Sequence, residues 1–412
     1  MQEAAKYQLM FSLLQSSLFG TPAVSELPIP ADVDWDAVLQ EMQAQTVHGL
    51  VEPLLDALPI RDTAVKERWR MRCIQQQSRW YQVASAQQEL IALLDSAGIL
   101  SVILKGTAAG LSYPHPECRC SGDVDVLVKR ADYQKAAALM EADGYVFDHG
   151  DNDGSHHHTA FTKNGVSFEL HYRLGIVSSD DEARLQFFEA QIEAGETVQI
   201  DGFSFHVFPR LCNGLTLLFH IDQHLRSGLG LRQIVDWAMF VHQNLTDAVW
   251  ETEFQPYLQA CGMETFAITV TDMAHRYLGL PVGVDAETGR SLTWCQTADS
   301  TLSEQLMNYI LEKGNMGKKS GEAGHIAFFY LITKTPARLF NRLQAGGMCN
   351  WPAAREHKLL RPFAWIYQVG HILCRLRTSK QSLHSMKELR QEGRTQRELI
   401  AKLGLNLDRT IE

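Results

Sequence analysis

An acidic interruption in a short apolar run constrains this chain more than any other feature. The run reads Asp-Val-Asp-Val-Leu-Val over residues 123–128, and its β-branched residues favour a strand. Residues two apart on a strand project from the same face, so Asp123 and Asp125 would lie side by side while the valines point the other way. Two unit charges about 4 Å apart repel by roughly 4 kcal/mol at an effective dielectric near 20. The pattern therefore predicts a divalent cation beside the two carboxylates.

The expected ion is Mg²⁺, with Mn²⁺ as the alternative. Carboxylate oxygens are hard ligands, and Mg²⁺ usually binds through one or two of them and completes its shell with water and substrate phosphates. A third carboxylate follows in the alternating run 166–171, where Glu169 and His171 share one strand face. Glu169 is predicted to be a third metal ligand or a base toward an acceptor, against the alternative of a salt bridge. His171 either orients Glu169 or is a buried, hydrogen-bonded histidine.

The residues before the acidic strand predict a phosphate-binding turn. The apolar run 102–104 ends in Lys105, Gly106 and Thr107, which is typical of a strand entering a tight turn. Backbone N–H groups at such a turn attract phosphate. Lys105 and Arg119 flank the turn in sequence, so each is a candidate triphosphate contact or an ordinary surface charge.

These motifs resemble the nucleotidyltransferase superfamily, and within it the bacterial group of uncharacterised nucleotidyltransferases. The resemblance covers residues from about 80 to 245. The matching positions are Leu104–Gly106, Tyr113, Arg119, Gly122–Val128, Glu169–His171, His220 and Asp236. Thr107 stands where the superfamily has a second Gly or Ser, and the gap before the Asp-x-Asp is longer than is usual across the superfamily; both departures fit the closer group.

The resemblance implies a fold and an activity. The implied fold is α/β, with a small mixed-sheet nucleotidyltransferase core flanked by N-terminal and C-terminal helical regions. The implied reaction moves a nucleoside monophosphate from a nucleoside triphosphate to a hydroxyl or phosphate of an unknown acceptor and releases pyrophosphate. The catalytic and metal-binding residues would be Asp123, Asp125 and Glu169. His220 and Asp236 are possible supporting residues, although hydrogen bonds in helix packing explain them equally well.

Two other functions stay open at the level of sequence. One is a catalytically inactive module that binds nucleotide and regulates a partner, which the complete set of acids disfavours. The other is a toxin-like transferase that acts on RNA or protein, which the net charge of −10 disfavours weakly.

Periodicity divides the chain into four predicted regions. Residues 1–98 read as helical, with caps expected at Asp34 and before the long helix at Asp62. The predicted core spans 99–208 and ends in a hairpin, because alternating runs flank the Asp-Gly pair at 201–202. A helical domain is predicted over 209–330 and a basic helical region over 331–412.

Composition favours a cytoplasmic protein without a membrane span. Eight cysteines show no paired framework, which is typical of reduced thiols. The apolar stretch at 9–14 follows a segment without net positive charge and is interrupted by polar residues, so an amphipathic helix is expected rather than a signal peptide. No window approaches the roughly 18 apolar residues that a spanning helix needs.

The C-terminal region differs in charge from the rest of the chain. From Arg338 onward there are 14 Lys and Arg against 6 Asp and Glu, a balance of +8 that leaves −18 for the remainder. Aromatic and aliphatic residues at 363–373 lie between these cations. Such a segment is compatible with peripheral membrane contact, but packing against the acidic body is the preferred interpretation because Trp, Phe and Ile more often fill a core.

Overall fold

The computed structural model describes most of the chain. The described residues are 2–148, 158–174, 181–315, 340, 343–344, 346–348, 350–351, 353–354, 357–378 and 385–405. Residues 150–155, whose Gly, Asp and Asn content predicts a turn-rich loop, lie outside them together with His156 and His157, as does much of the basic region.

Helices account for most of the described chain. Their bounds are α1 Gln2–Phe19, α2 Trp35–Ala44, α3 Thr63–Ser96, α4 Gly106–Gly110, α5 Tyr133–Ala142, α6 Glu182–Glu193, α7 Arg210–Ser227, α8 Leu231–Asn244, α9 Asp247–Val249, α10 Gln255–Ala260, α11 Glu264–Leu278, α12 Ser300–Lys313, α13 Ala364–Thr378 and α14 Ser385–Lys402. Both predicted caps are present, because the Asp34 carboxylate accepts from Ala37 N and the Asp62 carboxylate accepts from Ala64 N.

Seven of the described strands form one mixed sheet. Their bounds are β1 Ser101–Leu104, β2 Val124–Val128, β3 Val146–Phe147, β4 His158–Lys163, β5 Val166–His171, β6 Glu196–Ile200 and β7 Phe203–Val207. The order across the sheet is β3-β4-β5-β2-β1-β7-β6, with parallel pairing between β2 and β5 and between β1 and β7. A separate two-stranded hairpin joins Gly283–Val284 to Ser291–Leu292. The predicted mixed α/β fold is confirmed.

The two faces of β2 have different surroundings, as its sequence predicted. Val124, Val126 and Val128 pack with residues of α3 and α5 in one apolar cluster. Asp125 alternates with these valines and therefore faces the other side of the sheet. The alternation thus places a carboxylate on the face away from the α3 and α5 core.

The sheet ends in the hairpin that the sequence predicted. β6 and β7 pair antiparallel, and the two residues between them, Asp201 and Gly202, have φ values of 47° and 83°. Positive φ at both positions is the signature of a type I′ turn, whose twist matches that of the flanking strands.

The helices before and after the sheet share one hydrophobic core. Met10, Trp69, Trp237, Met273 and Leu306 belong to the same buried cluster although they span almost 300 residues of sequence. Packing therefore joins residues 1–98 directly to residues 209–330. The predicted boundaries between the four regions stay a prediction.

The end of the chain that the structure describes also packs on this core. Gln396 Nε2 donates to Leu225 O at 2.7 Å, and Leu399, Ile400 and Leu403 are buried in the main cluster. Leu359, just before α13, is not buried in this core, because 87% of it is exposed. Among the described residues, no helix combines the length and apolarity needed to cross a membrane.

Candidate active site

Three acidic side chains meet at the face of the sheet that lies away from α3 and α5. Strand pairing sets Asp125 beside Leu104 of β1 and beside Glu169 of β5. Asp123 immediately precedes β2. One carboxylate oxygen from each of Asp123, Asp125 and Glu169 can be chosen so that all lie within 4.8 Å of one another. Asp125 is buried, whereas Asp123 and Glu169 are not fully buried, so the cluster has solvent access from one side.

Two basic side chains reach into this cluster. Lys105 Nζ lies 3.0 Å from Asp125 Oδ1. His171 Nε2 lies 3.0 Å from Asp125 Oδ1 and 3.1 Å from Glu169 Oε2. The acids are therefore held at close range by counter-charge and hydrogen bonds rather than by solvent alone.

The protonation of Glu169 and Lys105 follows from this packing. Burial by itself would raise the pKa of Glu169, but the hydrogen bond and charge of His171 and the charge of Lys105 outweigh burial and lower that pKa to about 2. Burial opposes the charge on Lys105, yet Asp125, Glu169 and Asp123 raise its pKa above the ordinary value. Glu169 is therefore ionised and Lys105 protonated near neutral pH.

The turn after β1 adopts an unusual backbone conformation. Lys105 has φ 51° and ψ −140°, and Gly106 has φ 42°. A non-glycine residue in this region costs of order 1–3 kcal/mol and persists where the surroundings fix it. Here the ion pair between Lys105 and Asp125 fixes the turn against β2. The Thr107 hydroxyl is buried and donates to Gln87 Oε1 on α3, so it packs inward.

Arg119 and Asp236 form a buried ion pair. Arg119 Nε lies 2.6 Å from Asp236 Oδ1, and Arg119 Nη2 lies 2.8 Å from Asp236 Oδ2. Tyr113 Oη donates to Asp236 Oδ1 at 2.7 Å, and burial followed by the charge of Asp236 raises the Tyr113 pKa well above its usual value. Contact between Arg119 and a triphosphate stays a prediction, and in this structure its guanidinium is committed to Asp236.

His220 is paired with a second histidine of α7. The Nε2 atoms of His220 and His224 are 2.8 Å apart, so one imidazole donates to the other. Burial is the largest cause that lowers both pKa values, and the charge of Lys105 adds to it; the pKa of His224 falls to about 3. Both rings are therefore neutral near pH 7, and Lys105 is close enough to affect them.

Sequence reasoning missed several residues around the site. Residues 150–158 combine turn-forming residues with three histidines, a composition that predicts a solvated loop. His158 instead lies on β4 opposite His171, and its ligand atoms join those of Glu169 and His171 within 4.8 Å. His224 was detectable from its spacing of four residues from His220. Arg232 lies four residues before Asp236 on α8, and Arg232 Nη1 donates to Cys120 O at 3.3 Å.

The acidic cluster fits a hard divalent cation. Its three donors are carboxylate oxygens, the ligand type that Mg²⁺ prefers. The nearby group of His158, Glu169 and His171 contains imidazole nitrogens, which suit softer transition metals better. The donor set of Asp123, Asp125 and Glu169 therefore suits a hard divalent cation.

Comparison with known proteins finds a family model and a solved structure that resemble the chain. A family model described as "Uncharacterised nucleotidyltransferase" matches residues 31–279, which is more than half of the chain. One solved structure that resembles the chain is that of an antigenic nucleotidyltransferase-like protein from Paracoccidioides brasiliensis. It shares 16% sequence identity, with 45% of this chain and 91% of that chain covered and a TM-score of 0.30. Among curated proteins, none matches this chain.

Proposed function

Because this chain belongs to the family of uncharacterised nucleotidyltransferases, we propose that it transfers a nucleoside monophosphate from a nucleoside triphosphate to a hydroxyl or phosphate of an acceptor and releases pyrophosphate. The observation that carries the proposal is the convergence of three carboxylates, from β5 and from the start of β2, within 4.8 Å. Lys105 offsets one of the three negative charges, and a divalent cation would offset the repulsion that remains. A site that binds the magnesium complex of a triphosphate needs acidic ligands grouped in this way.

Asp123, Asp125 and Glu169 would hold the metal in this proposal. When bound, Mg²⁺ supplies charge neutralisation for the triphosphate and Lewis acidity at the reacting oxygens. The low pKa of Glu169 favours the role of ligand over that of base, because a carboxylate with a pKa of about 2 takes up a proton poorly near neutral pH. His171 would orient Asp125 and Glu169, since its Nε2 contacts both carboxylates.

Lys105 and Gly106 are proposed to meet the phosphates. Their turn lies next to the acids, and a Cβ added to Gly106 would lie 3.8 Å from Asp123 O. Lys105 already neutralises Asp125. A metal ion entering the site would compete with Lys105 for the Asp125 carboxylate, and a triphosphate would compete with Asp125 for the Lys105 ammonium. Thr107 would support the turn through Gln87. The cytoplasmic location stays a prediction.

The test is label transfer with purified protein. Each of the four common ribonucleoside triphosphates, labelled in the α-phosphate, is incubated with the protein, Mg²⁺ and cell extract, while pyrophosphate release is measured in parallel. We expect label in one acceptor fraction with stoichiometric pyrophosphate, and loss of both in Asp123→Asn.

A matched control is Asp201→Asn, which removes an acid from the β6–β7 hairpin at a positive φ that Asn tolerates. It should transfer label as the wild type does. Nucleotide binding without any label transfer or pyrophosphate release would instead identify an inactive binding module.

A further inference from the structure

The Arg232 guanidinium keeps more of its hydrogen-bonding capacity than the Lys105 ammonium or the Arg119 guanidinium. Lys105 is paired with Asp125, and Arg119 is paired with Asp236. Arg232 forms no ion pair with any residue that the structure describes, and its hydrogen bond runs from Nη1 to the Cys120 carbonyl at 3.3 Å. A guanidinium has five N–H donors, so most of the Arg232 donors have no acceptor among the residues that the structure describes.

One of these donors is already withdrawn from water. Arg232 Nε is shielded from solvent and meets no acceptor within the described part of the chain. Buried donors are almost always paired, because an unpaired one loses its hydration without replacement. The unpaired Nε–H therefore needs an acceptor that this conformation of the described residues does not supply.

Arg232 also lies near the helix that begins at Gly106 and near the segment that leads to Asp123. It belongs to the first turn of α8, which packs against α4, the short helix that begins at Gly106. Its bond to Cys120 ties it to the segment that leads into Asp123. Burial, Lys105 and Arg232 all lower the pKa of His220 and of His224, so Arg232 and Lys105 lie near the same pair of imidazoles.

We infer that Arg232 binds phosphate oxygens of the nucleoside triphosphate through the Nη donors that the described residues leave unused. The inference rests on the proposed function for the identity of the ligand. A guanidinium presents two parallel N–H groups that match two oxygens of one phosphate. Arg119 cannot do this without breaking its pair with Asp236, whereas Arg232 has donors to spare.

Magnesium tripolyphosphate is the probe for this inference, because it carries the phosphate chain without a base. Its dissociation constant is measured by calorimetry for the wild type, Arg232→Gln and Arg290→Gln. Arg290 is a matched control at the other end of α8, where its guanidinium donates to the carbonyls of Val241 and Leu245; the 14-residue helix separates the two sites by about 20 Å.

We expect Arg232→Gln to weaken tripolyphosphate binding at least tenfold while Arg290→Gln stays within twofold of the wild type. The affinity of Arg232→Gln for ATP should fall in the same way, and its affinity for AMP should fall much less. A purely structural defect would instead reduce the affinity for both nucleotides equally. Unchanged tripolyphosphate binding in Arg232→Gln, or an equal loss in Arg290→Gln, would overturn the inference.

A second measurement needs no variant and remains decisive if Arg232→Gln fails to fold. Phenylglyoxal modifies accessible arginines, and peptide mass spectrometry reports the rate at Arg232 and at Arg290. Magnesium tripolyphosphate should slow modification of Arg232 severalfold and leave Arg290 unaffected; equal rates at Arg232 with and without the probe would overturn the inference.

The two proposals fail in different ways. If wild-type protein transfers label but Arg232 is neither protected nor needed, the proposed function stands and the role of Arg232 falls. If wild-type protein binds neither tripolyphosphate nor any of the four nucleoside triphosphates, both fall together.

Discussion

Arg119 and Asp236 are separated by 117 residues of sequence, yet two hydrogen bonds of 2.6 and 2.8 Å join them in the buried interior. Arg119 lies in the segment between the phosphate turn and the acidic strand, and Asp236 lies in the middle of α8. The pair therefore anchors the loop that carries the site to the helical body. A displacement of α8 would move this loop and, through Cys120 O, the residues leading to Asp123.

Breaking this pair should destabilise the protein. Asp236→Asn leaves a buried guanidinium without a charged partner, which costs roughly 3–5 kcal/mol of the free energy of unfolding. Tyr113→Phe removes one hydrogen bond to the same carboxylate and should cost only about 1 kcal/mol. Urea unfolding followed by circular dichroism measures both. Equal stabilities of Asp236→Asn and the wild type would contradict an anchoring role.

Neutralising Asp123 and neutralising Asp125 should change the free energy of unfolding by different amounts. Both substitutions should abolish pyrophosphate release. Asp125 is buried and contacts Lys105 and His171, so Asp125→Asn should lower the free energy of unfolding by on the order of 3 kcal/mol. Asp123 is less enclosed, so Asp123→Asn should remain near wild-type stability or gain slightly as repulsion is relieved. Calorimetric melting of both variants decides this, and a larger loss in Asp123→Asn would refute the asymmetry.

Local patterns predicted the parts of the site that lie on one strand. Alternation alone placed Val124 and Val126 on the core side and the acids on the other. It could not predict that Glu169 stands beside Asp125, because that neighbour depends on parallel pairing of β2 with β5 across 44 residues. Alternation within 166–171 made Glu169 a candidate ligand, and resemblance to a known family implied a third acid on a later strand. The partner of Arg119 was unpredictable for the same reason, since periodicity gives the apolar face of α8 but not the loop that packs against it. The open donors of Arg232 became visible only when the partners of Lys105 and Arg119 were known.

Acid should destabilise the protein through the paired histidines of α7. Burial lowers the pKa of His224 to about 3, while the unfolded chain has the ordinary value near 6.5. Between these values the unfolded state binds a proton that the folded state does not, so the free energy of unfolding falls as pH drops below about 6.5, by up to about 1.4 kcal/mol per pH unit. Above pH 6.5 the contribution is constant.

His224→Gln should therefore reduce the acid sensitivity. Between pH 6.5 and 5 the variant should lose up to about 2 kcal/mol less than the wild type in urea titrations at each pH. His115→Gln is the control, because that side chain is 54% exposed. Parallel curves for His224→Gln and the wild type would show that His224 is not neutral in the folded protein.

The last helix should contribute to the stability of the whole molecule rather than serve only as a surface segment. Leu403 follows α14 directly and is fully buried in the main core, and Gln396 is bonded to Leu225 O and to Tyr309 Oη at 2.6 Å. Leu403→Ala should cost about 2–5 kcal/mol. Leu359→Ala, at a position 87% exposed, should change the stability by no more than about 0.5 kcal/mol.

Thermal melts of these two variants and of a truncation before Trp351 test the docking of the basic region. We expect the truncation to melt well below the wild type, because it removes every α14 residue of the core at once. A truncated protein with the wild-type melting temperature and intact turnover would contradict docking. It would then leave the cations of this region available for an anionic membrane, which co-sedimentation of the full-length protein with anionic and with neutral vesicles would measure.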